Sequence, residues 1–152
     1  MFQVHTEHIE QHSEESPGVN RAVEVALEEL DRTFGDVYGN EAGHLEFQYT
    51  ARASHALNKA FGAPLGKAFG ITVGGPAAIG VVLADTAVKA ATVDVIGYAS
   101  PGDGTSFSNE VISFLSGDSG AVRQAIVAAR EVGIPLLGSL GEKPESITTP
   151  YI

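Results

Sequence analysis

Three histidines near the start of the sequence have a spacing that could bind a metal ion. His5, His8 and His12 lie three and four residues apart, with glutamates between them, so on a helix they would share one face and could bind zinc or nickel. Few apolar residues surround them, so residues 1–18 are predicted to form a flexible acidic lead. Metal binding there is the lesser alternative, and the chain is predicted to need no cofactor.

A second candidate for chemistry is the motif Gly117-Asp118-Ser119-Gly120, which resembles the nucleophile motif of trypsin-like proteases. That chemistry needs a histidine base and an aspartate that orients it, and no histidine follows position 55. The motif also opens a predicted helix, which Asp118 or Ser119 is predicted to cap with its side chain. The sequence therefore predicts a chain that is not an enzyme.

The remaining candidate residues have structural explanations. His44 is predicted at a strand edge and His55 on the first turn of a helix, each without an evident partner. The stretch GITVGG, residues 70–75, is rich in glycine and precedes a helix, but it lacks the lysine and hydroxyl residue of a phosphate-binding loop. Its glycines instead favour close packing of a strand against the helix that follows.

Composition narrows the class of partner. The net charge is −10, so no nucleic acid is expected, because phosphate binding needs clustered lysine and arginine. The absence of cysteine excludes disulfides and cysteine-bound metals and is consistent with a cytosolic protein. The longest apolar stretch, residues 77–84, is too short to cross a membrane.

Charged residues make up 18% of the chain, against a usual ~25%, and small residues are abundant, which favours flat packing between subunits.

Hydrophobic periodicity predicts an α/β chain with four to five strands. Ser54 is predicted to cap the second helix. The third helix is almost entirely apolar and is predicted to be buried on most sides, with Asp85 and Lys89 as its one i,i+4 charge pair. The predicted helices span residues 19–34, 55–61, 77–91 and 121–132, and the predicted strands span residues 44–52, 67–73, 93–99, 110–115 and 135–140.

One internal repeat suggests how the chain is organised. Residues 18–30 align with residues 120–132, and five of the thirteen positions are identical. Two alanine-rich amphipathic helices can match this well by chance, so common origin is only modestly favoured. If the origin is shared, residues 19–43 contain an extra helix left from an upstream copy, followed by a main domain over residues 44–140 and an extended tail over residues 141–152.

Four passages, read in order, resemble the bacterial microcompartment (BMC) shell domain. They are HLEFQYTARASHALNKAFGAP (44–64), ADTAVKAATVDVIGY (84–98), SPGDGTSFSNE (100–110) and SGDSGAVRQAIVAAREVG (116–133). The likeness is strongest to the second half of a tandem-domain, circularly permuted trimer subunit of this family. It implies a circularly permuted, ferredoxin-like α+β domain, in which helices pack on an antiparallel sheet.

The resemblance implies a structural subunit of a microcompartment shell in the bacterial cytoplasm. Such a subunit associates edge to edge with copies of itself, as a hexamer or as a trimer-like assembly with a second half-domain. It also contacts other shell proteins. Lys89, with Asp85, would lie at the tile edge. A pore for small polar metabolites, such as diols or amino alcohols, would be lined by Asp103, Gly104, Thr105, Ser106, Phe107, Ser108 and Asn109.

The residues alone leave other interpretations open. The loop could be an ordinary long hairpin with Phe107 in the core, and Lys89 could be a solvated helix residue paired with Asp85. The alternative function is a ferredoxin-like regulatory domain that binds a small molecule in the loop over residues 102–109.

Overall fold

The computed structural model describes residues 17–33, 35–100, 110–146 and 148–152. The chain divides into two units, residues 1–34 and 35–152. In the first unit, helix α1 (Pro17–Thr33) confirms the predicted first helix. Its apolar stripe is exposed, with between 46% and 60% of the surface of Val19, Val23, Leu27 and Leu30 accessible. This helix therefore has one apolar face that it cannot bury by itself.

The second unit is an α+β body built on one antiparallel sheet, which confirms the predicted fold class. The order of strands across the sheet is β4-β5-β3-β2-β1-β6, and every neighbouring pair is antiparallel. In chain order the elements are β1 (Val37–Asn40), β2 (Gly43–Thr50), α2 (His55–Phe61), β3 (Ala68–Gly75), α3 (Ala77–Ala90), β4 (Asp94–Ala99), β5 (Val111–Gly117), α4 (Ser119–Gly138) and β6 (Glu145–Ser146).

The sheet has six strands, and two of them are short strands that the sequence analysis did not predict. β1 forms a hairpin with β2, and β6 pairs with β1 at two positions. At four and two residues, both strands are too short for the alternation of apolar and polar residues to show. The domain boundary predicted between residues 43 and 44 falls inside this hairpin, whereas the structure places Gly35 at the start of the body and includes residues 141–152 in it.

The end of the last helix was predicted wrongly. Gly133, Ile134 and Pro135 were expected to end it before a strand over residues 135–140, but α4 continues to Gly138. Pro135 costs the helix one backbone hydrogen bond, while Gly133 and Leu137 are buried on the side that faces the core. A Cβ at Gly133 would lie 2.7 Å from Leu83 Cδ2, so glycine here allows close packing and does not break the helix.

Of the predicted helix caps, one is confirmed and one is wrong. Ser54 Oγ accepts a hydrogen bond from the backbone N–H of Leu57 (3.4 Å), as a capping residue should. Asp118 occupies the corresponding position before α4, but neither it nor Ser119 caps the helix. The Asp118 carboxylate instead pairs with Lys67 Nζ (2.9 Å), and Ser119 Oγ lies 2.6 Å from the Tyr49 hydroxyl.

Apolar side chains cover both faces of the sheet. On one face α3 and α4 pack over β2, β3 and β5, around a core that includes Leu45, Phe47, Leu83, Leu115 and Ile126, all fully buried. On the other face α2 contributes Phe61, whose ring stacks on Phe69 and lies 4.9 Å from the centre of the Phe114 ring. Burial on both faces fixes the register of the central strands.

Thr72, in the middle of β3, carries an unsatisfied hydroxyl in this core. Its residue surface is 1% accessible, and Oγ1 has no hydrogen-bond partner among the described residues. We expect Thr72→Val to raise the free energy of unfolding by about 1 kcal/mol, because a methyl group removes the desolvation cost of a lone hydroxyl. Urea denaturation measures this change.

Thr50→Val is the matched control, because it makes the same replacement on β2 at a hydroxyl that donates to the Arg52 carbonyl. That variant should gain no stability. A loss of stability in Thr72→Val would show that the Thr72 hydroxyl is bonded after all.

Candidate functional site

The outward side of α3 is an exposed apolar surface. Ile79, Gly80, Leu83 and Ala87 are buried against the body. Three valines of the same helix are exposed. The sequence predicted that α3 would be buried on most sides, and for the single chain that prediction is wrong. The exposed valines are Val81 (59% accessible), Val82 and Val88. An apolar helix face of this kind is typical of a surface that other protein chains cover.

Lys89 and Asp85 lie on the same helix, next to this apolar surface. Lys89 Nζ lies 2.5 Å from Asp85 Oδ2, which confirms the predicted i,i+4 pair. Both side chains are more than half exposed, so the pair contributes only about 0.3–0.5 kcal/mol to stability. Their predicted role at the edge of a tile stays a prediction.

β4 forms one edge of the sheet and also carries exposed apolar residues. It pairs with β5 on one side, and the register shifts by one residue between Val95 and Gly97. Val95 and Tyr98 are exposed, Tyr98 to 80%. We name the exposed residues of α3 and β4, namely Val81, Val82, Val88, Val95 and Tyr98, the outer surface.

The predicted pore residues Asp103, Gly104, Thr105, Ser106, Phe107, Ser108 and Asn109 lie outside the described residues, as do His5, His8 and His12. The structure does describe the residues on either side of the loop. Ser100 Oγ donates a hydrogen bond to the Glu110 carbonyl (2.9 Å), and Ala99 pairs with Ile112 across β4 and β5. The two ends of the loop are thus held together, and its role as a pore stays a prediction.

His44 has a partner that the sequence did not predict. It lies in β2, an inner strand of the sheet and not an edge, and its Nε2 is 2.9 Å from Glu110 Oε2. His55 lies exposed on the first turn of α2, as predicted. The His44–Glu110 contact joins residues 66 positions apart in the chain, so no local pattern could have revealed it.

A buried carboxylate ties the two ends of the body together. Asp36 is fully buried and has a left-handed backbone (φ 57°). Its Oδ1 accepts a hydrogen bond from Arg130 Nη1 (2.5 Å), and its Oδ2 accepts from the backbone N–H groups of Tyr151 and Ile152 (3.0 Å each). Arg130 also donates to the Ile152 carbonyl (3.0 Å). We call these four residues the tail clamp.

Two tyrosines, Tyr151 of the tail clamp and Tyr38 near Asp36, stay in their neutral form. Burial raises the pKa of Tyr151, and burial together with the negative charge of Asp36 raises the pKa of Tyr38. The neutral Tyr151 hydroxyl donates to Gln48 Oε1 (2.7 Å), which adds a side-chain contact to the backbone contacts of the tail. No local sequence pattern predicts this cluster.

The described residues contain no group of three or more histidine, cysteine, aspartate or glutamate side chains that could hold a metal ion. None of their helices is long and apolar enough to span a membrane. The clearest features for function are therefore the outer surface and the anchored ends of the loop.

Comparison with known proteins identifies the domain. Residues 68–142 match the family model described as "BMC domain". The chain is 64% identical over 134 residues to the bacterial microcompartment shell protein PduB of Citrobacter freundii, which covers 88% of this chain and 50% of that protein. It is also similar to the crystal structure of a trimeric bacterial microcompartment shell protein PduB, with 54% identity, a TM-score of 0.78, and coverage of 86% of this chain and 58% of that one.

A second solved structure agrees with the first. EtuB from Clostridium kluyveri has 52% identity and a TM-score of 0.80, over 87% of this chain and 58% of that one. The sheet, the helices packed on it and these similarities define an α+β domain of the shell-protein class. The chain contains a BMC domain and is similar over most of its length to shell proteins that carry this domain, as the sequence resemblance predicted. It spans about half the length of the curated relatives that it matches.

Proposed function

We propose that this chain is a structural subunit of a bacterial microcompartment shell, in which copies associate laterally through the outer surface. The observation that carries the proposal is the exposed apolar side of α3, with further exposed apolar residues on the edge strand β4, on a body similar to a trimeric shell protein. Isolated apolar residues are normal on protein surfaces, but several exposed valines on one helix are typical of association surfaces.

Lateral association would stabilise this body by removing apolar surface from water. Full burial of an exposed valine contributes about 1.5–3 kcal/mol. Val81, Val82 and Val88 are 39–59% exposed, so each would contribute about half of that when a neighbouring copy covers it. Asp85 and Lys89 would then lie beside the contact, where two charges limit the ways in which neighbouring copies can align. This is the proposed edge role of that pair.

The proposed pore follows from symmetry. Cyclic assembly brings the same loop of every copy towards one axis, and residues 103–109 offer hydroxyl and backbone groups to small polar molecules such as diols or amino alcohols. The contacts at Ser100, Glu110 and Ala99 support this role, because they hold the start and end of the loop at one end of the sheet. We propose no catalytic step, since the relatives are shell proteins.

The number of copies in the assembly depends on whether each body is joined by a second domain, and α1 bears on this question. The curated relatives are about twice as long as the matched region, and we propose that α1 corresponds to the closing helix of an upstream domain. Its apolar stripe supports this interpretation, because a helix that closes a domain needs one apolar face to pack on a sheet. With one body per chain the assembly would be a hexamer, and with a second half-domain it would be trimer-like. Other shell proteins would be its neighbours, in the bacterial cytoplasm.

Sedimentation velocity and electron microscopy test the proposal. We expect the chain to form closed rings or flat sheets. Val81→Glu should weaken association at least about tenfold, because it places a charge in the centre of the apolar contact. Leu65→Glu is the matched control: Leu65 is also about half exposed but lies in the turn before β3, so this variant should assemble normally.

Two outcomes would contradict the proposal. A chain that stays monomeric at millimolar concentration does not form tiles. If such a monomer also bound small molecules, the regulatory-domain alternative would replace the shell function. If Val81→Glu and Leu65→Glu assembled equally well, α3 would not be part of the contact between copies.

A further inference from the structure

A cleft lies on the face of the sheet opposite α3 and α4. Two neighbouring strands form its floor, on which Gln48 of β2 pairs with Ile71 of β3. Two residues further along β2, Thr50 pairs with Phe69. The Phe69 ring stacks on Phe61 of α2, so this is the face that α2 covers. The cleft is therefore separate from the main core on the other face.

Two elements form the walls of this cleft. α2 contributes Leu57, which packs against the same apolar cluster as Phe69 and Ile71. The tail contributes Tyr151, whose backbone N–H donates to Asp36. The cleft has a volume of about 310 Å³, at the lower end of the range for small-molecule sites, about 300–1,000 Å³. It therefore has room for one small molecule.

The lining of the cleft is mostly apolar, but two of its polar side chains are in contact. The Tyr151 hydroxyl donates to Gln48 Oε1 (2.7 Å), and the phenolic oxygen can still accept a hydrogen bond. Gln48 Nε2 has two N–H groups, and the acceptor it has among the described residues is the Gly35 carbonyl at 3.5 Å, a long hydrogen bond. Together the two side chains offer one acceptor and one donor, which is what a single hydroxyl group needs.

We propose that this cleft binds a small alcohol with an apolar body, such as an aromatic or branched aliphatic alcohol. The apolar part of the ligand lies against Leu57 and Ile71, where it is removed from water. Its hydroxyl accepts a hydrogen bond from Gln48 Nε2 and donates one to the Tyr151 oxygen. A diol would bury a second hydroxyl against apolar side chains, which lowers its affinity by roughly tenfold or more.

The cleft is distinct from the surfaces that the proposed shell function uses. Phe69, on its floor, pairs with Ser116 of β5. Val111, near the end of the loop, pairs with Gly74 at the other end of β3. The helix α3 packs on the opposite face of the sheet. The proposed site therefore concerns one body and does not depend on shell assembly.

Nuclear magnetic resonance of the Leu57 and Ile71 methyl groups tests the proposal, with benzyl alcohol as the probe. We expect both signals to shift, with a dissociation constant of about 1 mM, as for a ligand of about eight non-hydrogen atoms. 1,2-Propanediol should bind at least about tenfold more weakly. Tyr151→Phe should weaken the binding of benzyl alcohol about three- to tenfold, because one hydrogen bond is lost. The same variant should bind toluene as the unaltered chain does, since toluene has no hydroxyl.

Tyr98→Phe is the matched control, because it removes a phenolic hydroxyl from the exposed edge strand β4. It should bind benzyl alcohol with unchanged affinity, and circular dichroism establishes that each variant is folded. The proposal is overturned if benzyl alcohol leaves the two methyl signals unshifted, or if 1,2-propanediol binds as tightly. It is also overturned if Tyr151→Phe weakens the binding of toluene and benzyl alcohol by the same factor, because the cleft would then recognise no hydroxyl.

Discussion

Asp36→Asn is expected to lower the free energy of unfolding by about 3 kcal/mol, more than any other single polar substitution in the body. The substitution keeps the shape of the side chain but removes the charge that Arg130 and two backbone N–H groups share. Breaking a buried pair leaves its partner without compensation, and such losses are typically about 3–5 kcal/mol. We take the lower end because Arg130 is 19% exposed.

Asparagine is the appropriate replacement at this position. It tolerates the left-handed backbone of Asp36 better than most residues, so little of the measured loss will come from backbone strain. Chemical denaturation gives the total loss. Hydrogen exchange at Tyr151 and Ile152 shows whether the tail is released, which we expect, because both amides lose their charged acceptor.

Asp85→Asn is the matched control for this prediction. It makes the same replacement in an ion pair whose side chains are 72% and 56% exposed, and such a pair is worth under about 1 kcal/mol. Similar losses in the two variants would mean that the Asp36 carboxylate does not hold the tail. The double variant Asp36→Asn/Arg130→Met should recover part of the loss, since no unpaired charge remains.

The second large effect is expected at Gly74, where β3 meets α3. A Cβ at this position would lie 2.6 Å from both the Cα and the backbone N of Gly80. Backbone cannot move aside as a flexible side chain can, so Gly74→Ala must separate the strand from the helix. We expect a loss of about 3 kcal/mol, at the upper end of the range for overpacking a core, measured as a shift in the urea midpoint.

Gly120→Ala controls for the general effect of removing a glycine. Gly120 lies in the first turn of α4, and a Cβ there would meet nothing within 4 Å. Alanine in a helix is favoured over glycine by about 1 kcal/mol, so this variant should be slightly more stable than the original chain. If Gly74→Ala were also neutral, the close contact between β3 and α3 would not exist in solution.

Local patterns predicted most of the elements of the body. The alternation in β2 and the Ser54 cap depend on residues within eight positions of one another, so the sequence alone contains the signal. The glycines at residues 70–75 were also interpreted correctly as packing residues, since Gly70 and Gly74 lie against α4 and α3. In these segments local preference and tertiary packing agree.

Packing overrode local preference where the predictions failed. Pro135 and Gly133 are helix-breaking residues, yet burial of one face of α4 continues the helix past both of them. Asp36 contacts its partners in the tail clamp across 94 to 116 positions of the chain, and the His44–Glu110 contact spans 66. Neither has a sequence signature, because a single aspartate or histidine is usually a surface residue.

The two edges of the sheet differ in how accessible they are to another chain. β6, only two residues long, shields part of β1 at one margin, and the tail clamp holds the segment that follows it. At the opposite margin, no strand among the described residues pairs with the outer side of β4, which is six residues long. A free strand margin is where another chain can add hydrogen bonds. We therefore expect strand pairing between copies, the usual start of fibrils, to be less favourable at the β6 margin than at the β4 margin.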